Sequence, residues 1–258
     1  MTQSPFRLEG RTVLISGAGG GIGRALVSAF HDAGAEIVGA DCDADLLAGL
    51  PLQRAVLFDQ ADSGATRAAI AADIKAHGAP DCVVSNAGFT RAEHFGMVDD
   101  AVWASEMAIN LNGAYAMTDP IIAAMAARGR GSLVFVASVN ALAHYGNPAY
   151  SAAKAGLVAY ARAIALERGA AGVRANVVAP GSVRTPAWDH RLAADPGLLD
   201  AVLPHYPLGR MVTPAEVANA ALFLCSDAAS GITGTVLPVD AGLTAGNLRF
   251  VDEVLRGK

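Results

Sequence analysis

The constraint that most limits this chain is its rhythm: short apolar runs alternate with longer, Ala-rich segments of helical period along the 258 residues. Runs without a polar face must be buried on both sides, and helical segments between them return the chain to the same edge, so the strands lie parallel. The runs are TVLIS (12–16), EIVGAD (36–41), RAVLFD (54–59), DCVVSN (81–86), GSLVFVAS (131–138), VRANVVAP (173–180) and GTVLPVD (234–240). Helices are expected near 22–33, 63–77, 99–128, 150–169 and 214–227. The last opens with TPAE: Thr213 as N-cap, Pro214 at N1 and Glu216 at N3.

The pattern predicts fold class α/β, a Rossmann-type doubly wound sheet of seven parallel strands in a single domain over 1–258. Hydrophobic residues make up 53% and charged residues 17%, which suits a sheet covered on both faces and an oligomer interface besides. The net charge of −5, without a stripe of Lys or Arg, argues against a nucleic-acid partner. Cys42, Cys82 and Cys225 have neither CxxC spacing nor an even count, as in a reducing compartment. Neither a signal-peptide core nor a membrane-length apolar run is present, so a soluble, cytoplasmic protein without a membrane partner is expected. The six histidines form no metal-binding spacing and there is no GxSxG elbow, which sets aside metalloenzyme and hydrolase chemistry.

In an open parallel sheet, ligands bind beyond the carboxyl ends of the strands. After the first run comes SGAGGGIG, Ser16 to Gly23, leading straight into a helix. Gly17, Gly21 and Gly23, with Ile22 between the last two, leave room for backbone N–H groups and a helix N-terminus to approach a pyrophosphate. Asp41 ends the second run, where a carboxylate accepts hydrogen bonds from adenosine ribose hydroxyls and repels a 2′-phosphate. With no Lys or Arg at 18–20 or 42–44, NAD is expected rather than NADP. Tyr150 and Lys154 are four residues apart and share one face of a helix.

With these motifs in this order, the chain resembles the classical branch of the short-chain dehydrogenase/reductase family over nearly its whole length. That family's TGxxxGxG is matched by Ser16-Gly17 through Gly23, with Ser for Thr. Its cofactor-side Asp resembles Asp59, followed here by Gln60 where an apolar residue is usual, and its NAG is matched by Asn86, Ala87 and Gly88. The resemblance implies a catalytic tetrad of Asn110, Ser138, Tyr150 and Lys154. It further implies cofactor contacts at Pro180, Gly181, Val183 and Thr185, the last to the nicotinamide carboxamide, and a homotetramer or dimer meeting along the helices near 99–128 and 150–169.

Oxidising a secondary alcohol requires a base within hydrogen-bond reach of the hydroxyl. A free tyrosine, with a pKa of about 10, needs a neighbouring positive charge to serve near pH 7. Lys154 is expected to supply it and to grip the nicotinamide ribose, Ser138 to hold the substrate oxygen, and Asn110 to hold a water of a proton relay. Substrate contacts are expected from Asn140, His144 and Tyr145, from Phe89, Arg91 and His94, and from a lid at 185–210 carrying Trp188, His190, Arg191, His205 and Tyr206. Such a lining suits a hydroxylated ring, sugar-like or alicyclic, and leaves steroid-like rings open. The expected function is NAD-dependent interconversion of a secondary alcohol and its ketone on a small-molecule substrate. An NADPH-dependent carbonyl reductase and a non-catalytic NAD-binding regulatory protein are the alternatives.

Overall fold

The computed structural model describes residues 4–90 and 94–257, apart from the side chains of Ala187 and Arg191. Seven strands, β1 (Thr12–Ser16), β2 (Glu36–Asp41), β3 (Arg54–Leu57), β4 (Cys82–Ser85), β5 (Gly131–Val136), β6 (Val173–Pro180) and β7 (Val236–Val239), pair in parallel in the order β3-β2-β1-β4-β5-β6-β7. The order reverses between β1 and β4, which opens the crevice of a doubly wound sheet at their carboxyl ends.

The helices are α1 (Gly21–Asp32), α2 (Ala44–Leu47), α3 (Ser63–His77), α4 (Asp100–Met107), α5 (Gly113–Arg128), α6 (Pro148–Arg168), α7 (Pro186–Ala194), α8 (Leu198–Val202) and α9 (Pro214–Cys225). Alternate strand residues feed two cores. Val13, Ile15, Val84 and Val134 pack with Leu26, Val27 and Phe30 of α1 and Val217 and Leu224 of α9. Leu14, Val83, Leu133 and Phe135 pack on the opposite face with Ile70 of α3, Met117 and Ile121 of α5 and Leu157 of α6. The two-residue period of the strands thus covers both sheet faces with helices.

Some boundaries depart from the sequence expectation. β3 stops at Leu57 rather than 59, because the chain turns there: the Asp62 N–H donates to the Asp59 carbonyl, and the Asp62 carboxylate caps α3 through Gly64 and Ala65. β5 ends at Val136, and Ser138 instead opens a 3₁₀ turn over Val139–Ala141. The single helix expected near 99–128 is two helices joined by a π-turn, Ala108–Asn112. The short α2 was not expected, and the lid segment contains α7 and α8. The capping box of α9 is present, with the Thr213 hydroxyl accepting from the Glu216 N–H at 3.3 Å and the Glu216 carboxylate accepting from the Thr213 N–H at 2.8 Å.

The start of α5 presses directly on the loop after β3: a β-carbon on Gly113 would lie 2.0 Å from the backbone oxygen of Gln60. Gly113→Ala is expected to destabilise the fold by about 1–3 kcal/mol through overpacking. Calorimetry should show a melting midpoint lowered by about 2–4 °C for each kcal/mol lost; an unchanged midpoint would show that the two loops yield freely.

Candidate active site

The crevice is held together by the polar residues at its strand ends. The Ser16 hydroxyl accepts from the N–H groups of Asn86 at 3.1 Å and Ala87 at 3.0 Å. The Asn86 amide donates back to the carbonyls of Ser16 at 3.0 Å and Gly17 at 3.1 Å. Gly17 has φ 62°, and a β-carbon there would stand 2.8 Å from the Ala87 α-carbon. Gly23 lies behind the loop, where a β-carbon would stand 1.9 Å from the Gly17 carbonyl oxygen. The N-cap of α1 is Gly20; no side chain caps the helix and no acid sits in its first turn, so its N–H groups suit an anion.

A cavity of about 690 Å³ opens over this loop and runs from Asp41 and Asp59 past Gly21 and Ile22 to Gly88 and Thr185. At its far end the Asp41 carboxylate accepts from the N–H groups of Gly19 at 3.0 Å and Cys42 at 2.9 Å. A glycine cradle, an uncapped helix and an acid at the tip of β2 fit a dinucleotide. Gln60 explains its own departure from the apolar residue usual there: its amide donates to the carbonyls of Ala87 at 3.2 Å and Ile109 at 2.8 Å, tying the crevice to the π-turn. Its buried Oε1 has no partner among the described residues.

Next to Gly88, a wall of the cavity, the four residues of the expected tetrad are grouped. Lys154 is 3% exposed, and its ammonium donates to the Val136 carbonyl at 3.0 Å. It lies 5.5 Å from the centre of the Tyr150 ring. Ser138 stands beside the Tyr150 phenol. A β-carbon on Gly88 would meet both the Asn110 Oδ1 at 2.8 Å and the Lys154 Nζ at 3.0 Å, so amide and ammonium both flank that glycine. Burial pushes the Tyr150 phenol up to about 12, against a lowering by Ser138 and with Glu106 adding to the rise. Desolvation is the largest influence on this phenol. Burial also brings Lys154 down to about 8, with Glu106 opposing.

Of the remaining expected contacts, Thr185 and Phe89 line the cavity, and the other described ones are not among its walls. Pro180 and Gly181 end β6 next to Asp240, and Val183 is buried in the core, bridged to Val212. Asn140 is committed to its own loop: its Oδ1 accepts from the Ser138 hydroxyl, and its amide donates to the Gly146 carbonyl at 2.8 Å and the Ser151 hydroxyl at 3.1 Å. Tyr206 is buried, with its hydroxyl accepting from the Ser182 N–H at 2.9 Å, so it braces the lid rather than facing a ligand. Phe89, His94, His144, Tyr145, His190 and His205 are exposed, and Trp188 is half-buried on α7. Arg91 and the Arg191 side chain lie outside the described residues.

The sequence reading missed Glu106, which is buried one helical turn before Asn110 and accepts from its amide at 2.9 Å. The four-residue spacing to Asn110 was the signal available. It also missed Gly19, Cys42, Leu46, Phe58, Ile109 and Pro186 as cavity walls. These are set by how α2, α7 and the π-turn close over the crevice.

A family model described as enoyl-(acyl carrier protein) reductase matches residues 17–244. Among curated relatives, an uncharacterized oxidoreductase of Schizosaccharomyces pombe is 39% identical over 96% of this chain and 96% of its own. D-threitol dehydrogenase of Mycolicibacterium smegmatis is 36% identical over 93% of this chain and 95% of its own. Galactitol 2-dehydrogenase (L-tagatose-forming) of Cereibacter sphaeroides is 35% identical over 93% and 97%. Among solved structures, a short-chain dehydrogenase/reductase oxidoreductase of Burkholderia thailandensis superposes with a TM-score of 0.86 at 42% identity, covering 96% of this chain and 98% of that one. A gluconate 5-dehydrogenase of Burkholderia cenocepacia in complex with NADP and tartrate gives a TM-score of 0.87 at 32% identity, covering 94% and 98%. With the sheet order, the glycine cradle and the convergence at Tyr150 in place, this chain belongs to the short-chain dehydrogenase/reductase family of oxidoreductases acting on CH–OH groups.

Proposed function

We propose that the chain oxidises a secondary hydroxyl of a polyol or sugar-like substrate to the ketone, reversibly, with NAD as cofactor and Tyr150 as general base. The observation that carries this reading is the grouping of Ser138, Tyr150 and Lys154 next to Gly88, which lines a cavity suited to a dinucleotide. Relatives that act on threitol and galactitol support the substrate class.

Bound NAD supplies the hydride acceptor and a positive ring. The rest falls to the chain's own groups. Ser138 holds the substrate oxygen against Tyr150, whose phenolate removes the hydroxyl proton as the hydride departs. In the reverse direction the phenol returns that proton to the ketone oxygen. With the resting phenol near 12, Tyr150 depends on the Lys154 ammonium and on the positive ring together to ionise at neutral pH. Thr185 and Gly21 line the same cavity, and a β-carbon on Gly21 would stand 2.9 Å from the Thr185 side chain, which supports Thr185 as a contact of the carboxamide.

The same reading gives a cytoplasmic homo-oligomer, a tetramer or dimer. Trp103, Tyr115 and Leu166, exposed on α4, α5 and α6, supply an apolar face for it.

A second reading, a carbonyl reductase using NADPH, draws support from the NADP held by the gluconate 5-dehydrogenase structure. The carboxylate at Asp41 separates the two. Asp41→Ser is expected to raise kcat/KM for NADP⁺ relative to NAD⁺ at least about tenfold, since a like-charge contact worth more than about 1.4 kcal/mol is removed. An unchanged ratio would show that Asp41 does not select the cofactor.

Tyr150→Phe is expected to lower kcat by about 10²–10⁴, measured by NADH absorbance across polyols, cyclic alcohols, steroids and hydroxy acids. NADH affinity, measured by fluorescence, should stay within about twofold, because the ring and Lys154 remain. A variant that turned over near the wild-type rate would remove Tyr150 from the role of base.

A further inference from the structure

Burying an ammonium costs several kcal/mol unless it is hydrogen-bonded and faced by an anion. Lys154 is 3% exposed and donates to one backbone carbonyl, that of Val136. The groups around it come from four places. Tyr150 lies one turn earlier on α6, Ser138 follows β5, Ala87, Gly88 and Phe89 carry no charge, and α4 with the π-turn contributes Glu106 and Asn110. Among these described groups Glu106 is the carboxylate, and it is 5% exposed.

Glu106 reaches the lysine through Asn110. The Asn110 amide donates to the Glu106 carboxylate at 2.9 Å, to the Glu106 backbone carbonyl at 3.0 Å and to the Phe89 carbonyl at 2.8 Å. With two amide hydrogens shared among these three acceptors, the Asn110 side chain is fixed; its Oδ1 accepts from the Phe89 N–H at 3.3 Å and flanks Gly88, as the Lys154 ammonium does. Asn110 sits within the π-turn Ala108–Asn112, four residues after Glu106.

We propose that Glu106 is a positioning residue of this site, the carboxylate that orients Asn110 toward Lys154 and supplies the negative charge against which the buried ammonium keeps its proton. The proposal rests on Tyr150 and Lys154 forming the base and its cation as read above. The sign of the effect follows from charge: an anion favours the protonated form of both Lys154 and Tyr150, and each feels Glu106 in that direction. Removing the charge while keeping the shape should lower both midpoints. In alcohol oxidation the active form is phenolate with ammonium, so the whole pH–rate window moves to lower pH. A purely structural role for Glu106, holding Asn110 alone, would reduce kcat without moving that window.

The chain has three lysines, Lys75, Lys154 and Lys258, so lysine labelled with ¹³C at Cε gives three NMR signals, and Lys154→Arg identifies the one from Lys154. The titration is run on the full chain without cofactor and needs no turnover. Glu106→Gln is expected to lower the Lys154 midpoint by about half a unit or more, since opposite charges in close range shift a pKa by about 1–3 units. Glu106→Asp, which keeps the charge, should stay within a few tenths of the wild type. Glu106→Met serves as the neutral variant if the Gln variant fails to fold. A neutral variant whose Lys154 titrates with the wild type, or an Asp variant that moves as far as Gln, would overturn the proposal. If the wild type oxidised no alcohol, the reading under Proposed function would fall while this titration still decided the role of Glu106. Where turnover is found, the pH–rate limbs of Glu106→Gln should shift in the same direction as the NMR midpoint.

Discussion

The interaction on which the rest of this site depends is the burial of one ammonium. Lys154 lies under Gly88 with a single carbonyl acceptor, beside a phenol that needs a positive charge to ionise. Water would screen that charge, so it must be kept dry, and a dry charge must be held by fixed dipoles and anions. That requirement explains why Asn110, Glu106, Gly88 and the Val136 carbonyl crowd together. It also explains why α4 and α6 must pack closely: the lysine is on one and its countercharge on the other.

The sheet makes such crowding reproducible. Every functional strand end falls on one edge, and the reversal between β1 and β4 opens a crevice there without breaking the core beneath. The crevice walls are locked by reciprocal hydrogen bonds between Ser16 and Asn86, and Gln60 extends the lock to the π-turn that carries Asn110. Cofactor cradle and proton-handling groups are therefore one connected polar structure. A change at Gln60 or Asn86 would be felt at Lys154 through backbone position, not through charge.

What the sequence made legible follows from which signals are local. Strand runs, the glycine loop and the Thr213–Glu216 capping box are each set by neighbours in the chain, and they stand where the pattern put them apart from a few strand ends. The meeting of Asn110, Ser138, Tyr150 and Lys154 was legible by resemblance, not by periodicity. The π-turn was not, because a change from i→i+4 to i→i+5 bonding over five residues has no residue signature of its own in the apolar pattern. Glu106 was passed over as one acid on a helix because only its tertiary neighbours reveal its burial. Asn140 and Tyr206 were read as ligand-facing because polar and aromatic residues after a strand look alike in sequence, whether they bind a ligand or close a loop.

The two halves of the site differ in how they respond to substitution. On the cofactor side, a β-carbon on Gly17, Gly19 or Gly23 would stand under 3 Å from backbone and polar atoms are mostly paired, so almost any replacement carries a clash or an orphaned group. On the substrate side, Phe89, His144, Tyr145, His190 and His205 are exposed, and replacing them alters the surface without disturbing the core. Asn140 and Tyr206 mark the boundary, since they brace the loops from which those side chains project. A scaffold divided in this way can hold its proton and hydride chemistry fixed while the recognised alcohol changes, because the residues that would select the alcohol are those with the least structural work to do.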